Sequence, residues 1–281
     1  MLRILHAGFF STVQDLGRVG YRDKGVPVSG AMDLYSAQFA NALLGNAKDA
    51  ALIEMTMLGG KFQFFDSTVV AISGAFMRPM LNDEALLQNR LIKIQPNDVL
   101  HFGGAEKGFR TYLAVKGGFK TETILGSRSM YSSVTNQSVI KKDDHIIYEP
   151  YQGVEKAFSK VKYDDTHLES NVLDVFKGVE FDMLSENQKQ QLFSKDFLVS
   201  KNNNRMAYQL EPVLDNNLKP ILSSPVLPGT IQLTPHGNLI VLMRDCQTTG
   251  GYPRILQLTE KAINTIAQKT LGNSIKFRQK E

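Results

Sequence analysis

The sequence predicts a mainly β protein: two β-rich halves, with a few short helices. Three observations carry this reading. From Ala51 to Phe119 the apolar residues fall in short runs rich in β-branched and aromatic side chains: ALIEMTM, KFQFF, STVVAIS, RLIKIQ, DVLHFG and RTYLAVKGGF. Turn signals at Gly59-Gly60, Asn82-Asp83, Pro96-Asn97 and Gly103-Gly104 separate them, a spacing that suits a barrel or sandwich and not alternating βα units. The chain then turns polar and charged from Tyr151 to about Ser170, which reads as a linker or long excursion. The first subdomain is therefore expected over roughly 1–155 and the second over 156–281, sequential or interwoven.

In chain order, Leu2 to Leu5 reads as a strand that enters a long loop, Thr12 to Asp33. That loop holds four glycines and one proline, which excludes a regular helix or central strand. Asp33 reads as an N-cap, and Tyr35, Phe39, Ala42 and Leu43 then recur at helical spacing until Gly45-Asn46. A second polar loop, LGSRSMYSS, spans Leu125 to Ser133, and further strands run through HIIYEP. In the second half a strand is expected around Asn171 to Phe176. The S-x-x-Q capping box at Ser185 starts a helix. SKNNNR is read as a polar turn ahead of a strand, and IQL and LIVLM as strands around a turn at Pro235-His236-Gly237. TEKAINTIAQKTL is a helix with Ile263, Ile266, Ala267 and Leu271 on one face, and SIKF is a closing strand.

The bulk numbers exclude several function classes. With 281 residues, 42% hydrophobic and 21% charged, the composition is that of an ordinary globular protein. The net charge of +4 comes from scattered residues, so no nucleic-acid arm is expected. A single cysteine, Cys246, excludes an internal disulfide framework and a cysteine-rich zinc site. The N-terminus lacks a signal-peptide pattern and no run reaches ~18 apolar residues, so the expectation is cytoplasmic, without a membrane anchor. There is no P-loop, no G-x-G-x-x-G after a strand, no H-E-x-x-H and no G-x-S-x-G. The five histidines are dispersed, and no metal site is expected.

Two stretches concentrate chemistry-bearing residues. The first loop carries Gln14, Asp15, Arg18, Arg22 and Ser29. It ends at a helix N-terminus, where free N–H groups favour anions. The second, Arg244 to Arg254, follows a core-like strand and delivers Asp245, Cys246, Gln247, Thr248, Thr249, Gly250, Gly251 and Tyr252 at its end. Each also has a purely structural reading, as a loop whose side chains satisfy its own backbone or as a tight Gly-Gly turn. Arg128, between two serines, reads either as a surface arginine or as an anion-binding guanidinium. Together with Glu54 and Arg205, these residues suit a small polar substrate bearing amide and carboxylate groups. They do not name a reaction.

The segments TVQDLGRVGYRDKGVPVSGAMD, LLGN, LAVKGGF, LGSRSMY, NNNRMAYQLE and QTTGGYPRI resemble, in this order and over nearly the whole chain, the KipA-like family. These proteins are also called the second subunit of allophanate hydrolase or the C subunit of 5-oxoprolinase, and they are similar to half of the carboxyltransferase domain of biotin-dependent urea carboxylase. The resemblance implies two cyclophilin-like β-barrel subdomains. It also implies two partners, a KipI-like chain and a LamB/YcsF-like chain. The activity it implies is ATP-dependent opening of 5-oxo-L-proline to L-glutamate, with ATP shared with the partners and no cofactor held tightly by this chain. Two other readings follow from the same family: a carboxyltransferase component acting on a urea or amide nitrogen, and a non-catalytic antagonist of a KipI-like kinase inhibitor.

Carried over by motif, Asp15, Arg18, Asp245 and Gln247 are expected to be catalytic. Gln14, Ser29, Asp33, Glu54, Arg128, Arg205, Thr248, Thr249, Gly250, Gly251 and Tyr252 are expected to bind substrate. Asp15 and Arg18 are expected near Gln247 and Tyr252. Two departures from the family pattern stand out: SSVTNQS replaces a glycine-rich run after Tyr131, and Arg244-Asp245-Cys246-Gln247 replaces the usual A-D-[RH]-Q.

Overall fold

A computed structural model describes residues 1–153 and 162–280; the central part of the expected linker, 154–161, lies outside the described residues. The chain divides into two compact units: Met1–Arg18 with Asp33–Glu169, and Val19–Met32 with Ser170–Glu281. A short piece of the first polar loop thus belongs to the second unit.

The first unit is two antiparallel sheets. One has six strands in the order His145–Ile146, Leu2–His6, Lys61–Phe64, Val99–His101, Met80–Leu81 and Glu84–Ala85. The other has five, in the order Phe10–Gln14, Leu52–Thr56, Lys107–Val115, Thr68–Phe76 and Leu91–Ile94. Leu2, Ile4, Phe62, Phe64 and Leu100 from the first sheet pack with Val13, Ile53, Val70, Ile72, Ile92 and Leu113 from the second in one buried core. Within the second sheet, Gly74 supplies a bulge where no side chain would fit. Its φ is +87°, the register of its strand against Lys107–Val115 shifts there, and an added Cβ would lie 2.5 Å from the Arg110 carbonyl. The helix Leu34–Leu43 is started by Asp33, whose carboxylate accepts from the Ser36 N–H.

The second unit is a closed seven-stranded barrel. Its order is Val172–Lys177, Arg254–Leu258, Thr230–Leu233, Leu239–Leu242, Ala207–Glu211, Phe197–Asn203 and Ser274–Gln279. All pairs are antiparallel except the closing one, Val172–Lys177 with Ser274–Gln279, which is parallel. Closure removes the free edges that an open sheet would expose. Ala262, Ile263, Ile266 and Ala267 of the helix Glu260–Ala267 join the barrel core, along with Leu173, Phe197, Tyr208, Ile231 and Val241. A two-stranded ribbon, Ser224–Pro225 with Thr249–Gly250, stands apart from the barrel sheet.

Some boundaries differ from the sequence reading. Thr12, Val13 and Gln14 are strand residues paired with Glu54, Ile53 and Leu52, so the loop starts only at Asp15. Ser200 to Asn203 are also strand: Ser200 is buried, Lys201 and Asn202 are exposed, and Asn203 is half-buried. The final helix stops at Ala267, which leaves Leu271 in the following turn, 61% exposed and off the expected apolar face. Between Leu125 and His145 the chain is irregular, because its backbone groups are satisfied by turns and by contacts such as Ile140 N–H to the Ser11 carbonyl at 2.8 Å.

One ion pair locks the barrel seam beside the last motif. Arg254 donates from Nε and Nη2 to the two carboxylate oxygens of Glu180 at 3.0 and 2.7 Å, and its backbone N–H donates to Oε2 at 2.8 Å. These bonds hold the Glu180 carboxyl below the usual carboxylate range. A depressed folded-state pKa means stability that is present above the unfolded value of about 4.3 and is lost as pH falls through the folded value. Glu180→Gln is expected to cost about 1–3 kcal/mol at pH 7 in urea unfolding. The difference from wild type should shrink below pH 4; a cost that does not change with pH would show that the pair contributes nothing through charge.

Candidate functional site

In the first unit the polar residues of the first motif are organised by one carboxylate. Leu125 and Gly126 both have positive φ (52° and 76°), and Ile124 and Ser127 exchange N–H···O bonds across them at 2.8 and 3.2 Å, which makes a tight two-residue hairpin. The chain leaves this turn as Ser127-Arg128-Ser129 and wraps Asp15. The Ser127 hydroxyl, the Ser129 hydroxyl and the Arg128 N–H each donate to the Asp15 carboxylate at 2.6 Å, and the Gly17 N–H donates at 2.7 Å. The Asp15 N–H in turn donates to Ser129 Oγ at 3.1 Å.

Three of these donors share Oδ1, and the Arg128 N–H alone reaches Oδ2. Asp15 therefore holds the loop together through its carboxylate. Arg18 acts alongside it: fully buried, it donates from Nη2 to the Ser129 carbonyl. Gln14 donates from Nε2 to Thr12 Oγ1 at 3.0 Å and to the Met130 carbonyl at 3.2 Å. The neighbours of Gln14, Asp15 and Arg18 are thus the LGSRSM residues, while Gln247 and Tyr252 belong to the other unit.

What this scaffold presents outward is Arg128. Its backbone N–H is tied to Asp15, yet its guanidinium has no hydrogen-bond or ion-pair partner among the described residues. It lines a cleft of about 140 Å³ with Thr121, Glu122, Ile124, Met130, Thr135, Asn136 and Gln137. The SSVTNQS segment that departs from the family pattern supplies one wall of this cleft.

Asp33 and Glu54 are both buried among polar partners. Asp33 caps its helix, accepts from the Ser36 hydroxyl, and lies 2.8 Å from His167 Nε2; it is fully buried. Its N–H donates to the Tyr112 hydroxyl oxygen at 2.8 Å. Burial pushes the Tyr112 phenol well above its ordinary pKa, and the neighbouring Glu54 and Asp33 carboxylates add to the shift. Tyr163, which touches Ser36 Oγ at 2.6 Å, is raised for the same first reason. Glu54 faces Arg110, with 3.9 Å between Nε and Oε1, in an almost completely buried pair. These groups form a polar network inside the fold. Sequence reasoning missed Ser127, Ser129, Ser36, Tyr112 and His167. The S-x-S pattern around Arg128 was the only local signal; His167 stands 134 residues from Asp33, with nothing in the chain to join them.

In the second unit Arg205 and Asp245 pair with each other. Arg205 donates from Nε at 2.8 Å and from Nη2 at 3.0 Å to the two Asp245 oxygens, and from Nη2 to the Gly30 carbonyl at 2.6 Å. Both side chains are more than nine-tenths buried. Each group thus has the other as its bidentate partner inside the fold. They brace the backbone at Ser29-Gly30, where φ is +59° and +90° and the Ser29 N–H donates to the Arg244 carbonyl at 3.0 Å. The Ser29 hydroxyl is buried with no hydrogen-bond partner.

The QTTGGYP segment presents Gln247, Thr249 and Tyr252 as exposed side chains. Its backbone is held from beneath. Thr248 O accepts from the Val226 N–H at 3.1 Å and from Arg22 Nη2 at 3.3 Å, Gly251 O accepts from the Ile221 N–H at 2.9 Å, and a Cβ on Gly250 would meet Gln232 Nε2 at 2.4 Å. Cys246 is fully buried; burial raises its thiol pKa against the opposing effect of Arg22, so it is a neutral core residue. Among the described residues no group of three or more His, Cys, Asp or Glu side chains is placed to hold a metal ion.

Asp245→Ala should thus cost about 3–5 kcal/mol of stability by leaving Arg205 buried without its carboxylate. Gln247→Ala should stay within about 0.5 kcal/mol of wild type. Thermal unfolding of the two variants side by side checks both, and equal melting temperatures would contradict the assignment.

Comparison with known proteins places this arrangement. The carboxyltransferase domain family, subdomains A and B, matches residues 24–279. The C subunit of Escherichia coli 5-oxoprolinase is 31% identical, over 99% of this chain and 91% of that protein. The C subunit of Haemophilus influenzae 5-oxoprolinase is 29% identical, over 99% of this chain and 90% of that protein. The crystal structure of Kluyveromyces lactis urea carboxylase superimposes with a TM-score of 0.87 at 27% identity, covering 98% of this chain but only 27% of that one.

Proposed function

From the premise that the chain belongs to the carboxyltransferase domain family, subdomains A and B, we propose that it is the C subunit of a 5-oxoprolinase, a complex that opens 5-oxo-L-proline to L-glutamate. The observation that carries this reading is the likeness to the C subunits of two 5-oxoprolinases over almost the full length of both partners in each alignment. The reaction cleaves an amide C–N bond and leaves a second carboxylate and an amine. On this reading the chain's own contribution is to bind and orient the substrate. Arg128, rooted by Asp15, offers a guanidinium to the substrate carboxylate, and Gln247 and Thr249 offer an amide and a hydroxyl at an exposed turn.

ATP does not fit the cleft at Arg128. Pockets for drug-sized ligands start near ~300 Å³, and this one is about 140 Å³. On this reading the nucleotide is held by another chain of the complex. KipI-like and LamB/YcsF-like chains are the partners this reading requires.

One observation favours a second reading, a carboxyltransferase component acting on a urea or amide nitrogen: the superposition on urea carboxylase. The chain spans about a quarter of that enzyme, so the remaining machinery would come from other polypeptides.

Co-expression with the two partner chains and assay of glutamate release decides between them. ATP-dependent release of glutamate from 5-oxo-L-proline is expected, with Gln247→Ala lowering kcat/KM about tenfold or more, a loss of ~1.4 kcal/mol of transition-state binding. A purified, assembled complex that releases no glutamate would refute the reading. Transfer of a carboxyl group from carboxybiotin to urea by a complex containing the chain would establish the alternative.

A further inference from the structure

We propose that the cleft at Arg128 is a binding site for a small molecule that carries one carboxylate and an amide N–H. This deepens the 5-oxoprolinase reading, and rests on it for the choice of probe.

Charge comes first. Arg128 and Glu122 line the same cleft, yet they do not pair: the Glu122 carboxylate accepts from Asn136 Nδ2 at 3.0 Å and the guanidinium has no partner among the described residues. A cation and an anion that face one small space without meeting suit a ligand with the opposite pattern, a carboxylate for Arg128 and an N–H donor for Glu122. The two charges cancel, so a phosphate dianion would gain one attraction and suffer one repulsion, whereas a monocarboxylate with a neutral amide meets both groups favourably. Phosphate is therefore the disfavoured anion.

Geometry agrees. The Arg128 backbone is immobilised by its 2.6 Å bond to Asp15, so the guanidinium projects from a fixed root and loses less freedom on binding. Thr121 Oγ1 lies buried in the cleft lining with no hydrogen-bond partner. Ile124 and Met130 give an apolar wall for methylene groups. A cavity of ~150 Å³ holds benzene, so about 140 Å³ takes roughly six non-hydrogen atoms, the size of a lactam ring with its oxygen.

Isothermal titration of the full chain tests this with four probes: 5-oxo-L-proline, 2-pyrrolidinone, cyclopentanecarboxylate and inorganic phosphate. 5-Oxo-L-proline should bind best. Removing its carboxylate should weaken binding about tenfold or more, and removing its amide about threefold or more. Arg128→Gln should abolish measurable binding and Glu122→Gln should weaken it several-fold, neither with a change in Tm. Equal binding of 2-pyrrolidinone, tighter binding of phosphate, no binding of any probe, or wild-type affinity in Arg128→Gln would each overturn the proposal. In the assembled complex, an unchanged KM for Arg128→Gln would overturn the cleft and leave the 5-oxoprolinase reading standing. Binding by the chain without turnover by the complex would do the reverse.

Discussion

The guanidinium of Arg205 holds the part of the chain on which the architecture depends. The segment Val19–Met32 departs from the first unit and is built into the second. It stays there because Arg205, locked by Asp245, donates to the Gly30 carbonyl, because the Ser29 N–H reaches the Arg244 carbonyl, and because Met32 is buried in the barrel core. Ser29, a non-glycine residue at φ +59°, costs conformational energy there, and only surroundings that over-determine it keep it in place. A buried, bidentate ion pair serves this purpose because breaking it leaves a desolvated charge. The same segment carries Arg22, whose guanidinium supports the Val226 and Thr248 carbonyls under the last motif.

The first unit solves a similar problem with a carboxylate. LGSRS has no regular secondary structure to satisfy its backbone, and Leu125 sits in a left-handed conformation that suits glycine or asparagine better. Asp15 offsets this by gathering two hydroxyls and two N–H groups around a single side chain. The result is an irregular loop with a rigid base. Its outward product is a guanidinium without a partner among the described residues, beside a carboxylate that pairs elsewhere.

The two motifs differ in what they expose. In the first, Gln14, Asp15, Arg18, Ser29 and Asp33 are largely turned inward, and their partners include backbone groups and Thr12, Ser36, Ser127, Ser129 and His167. In the last, the backbone is held from below and Gln247, Thr249 and Tyr252 remain exposed. Residues that look equally functional in a motif thus divide into those that shape a surface and those that form it. The likeness to the C subunits of 5-oxoprolinases and the superposition on urea carboxylase are compatible with one scaffold serving different amide or urea chemistry.

The sequence alone determined the β-rich class, most strands, the Asp33 and Ser185 caps, and the concentration of polar groups in two motifs. These follow from local physics: periodicity, β-branched content and short capping side chains act within a few residues. Tertiary structure alone decided that the first loop is shared between two units and that the second half closes into a barrel through a parallel pair. It also decided that Asp15 faces Ser127 and Ser129 across more than a hundred residues, that Asp245 is occupied by Arg205, and that His167 meets Asp33. A carboxylate reads the same in sequence whether it is free or saturated. Its role is set by the donors that surround it, and those arrive only when distant strands pair.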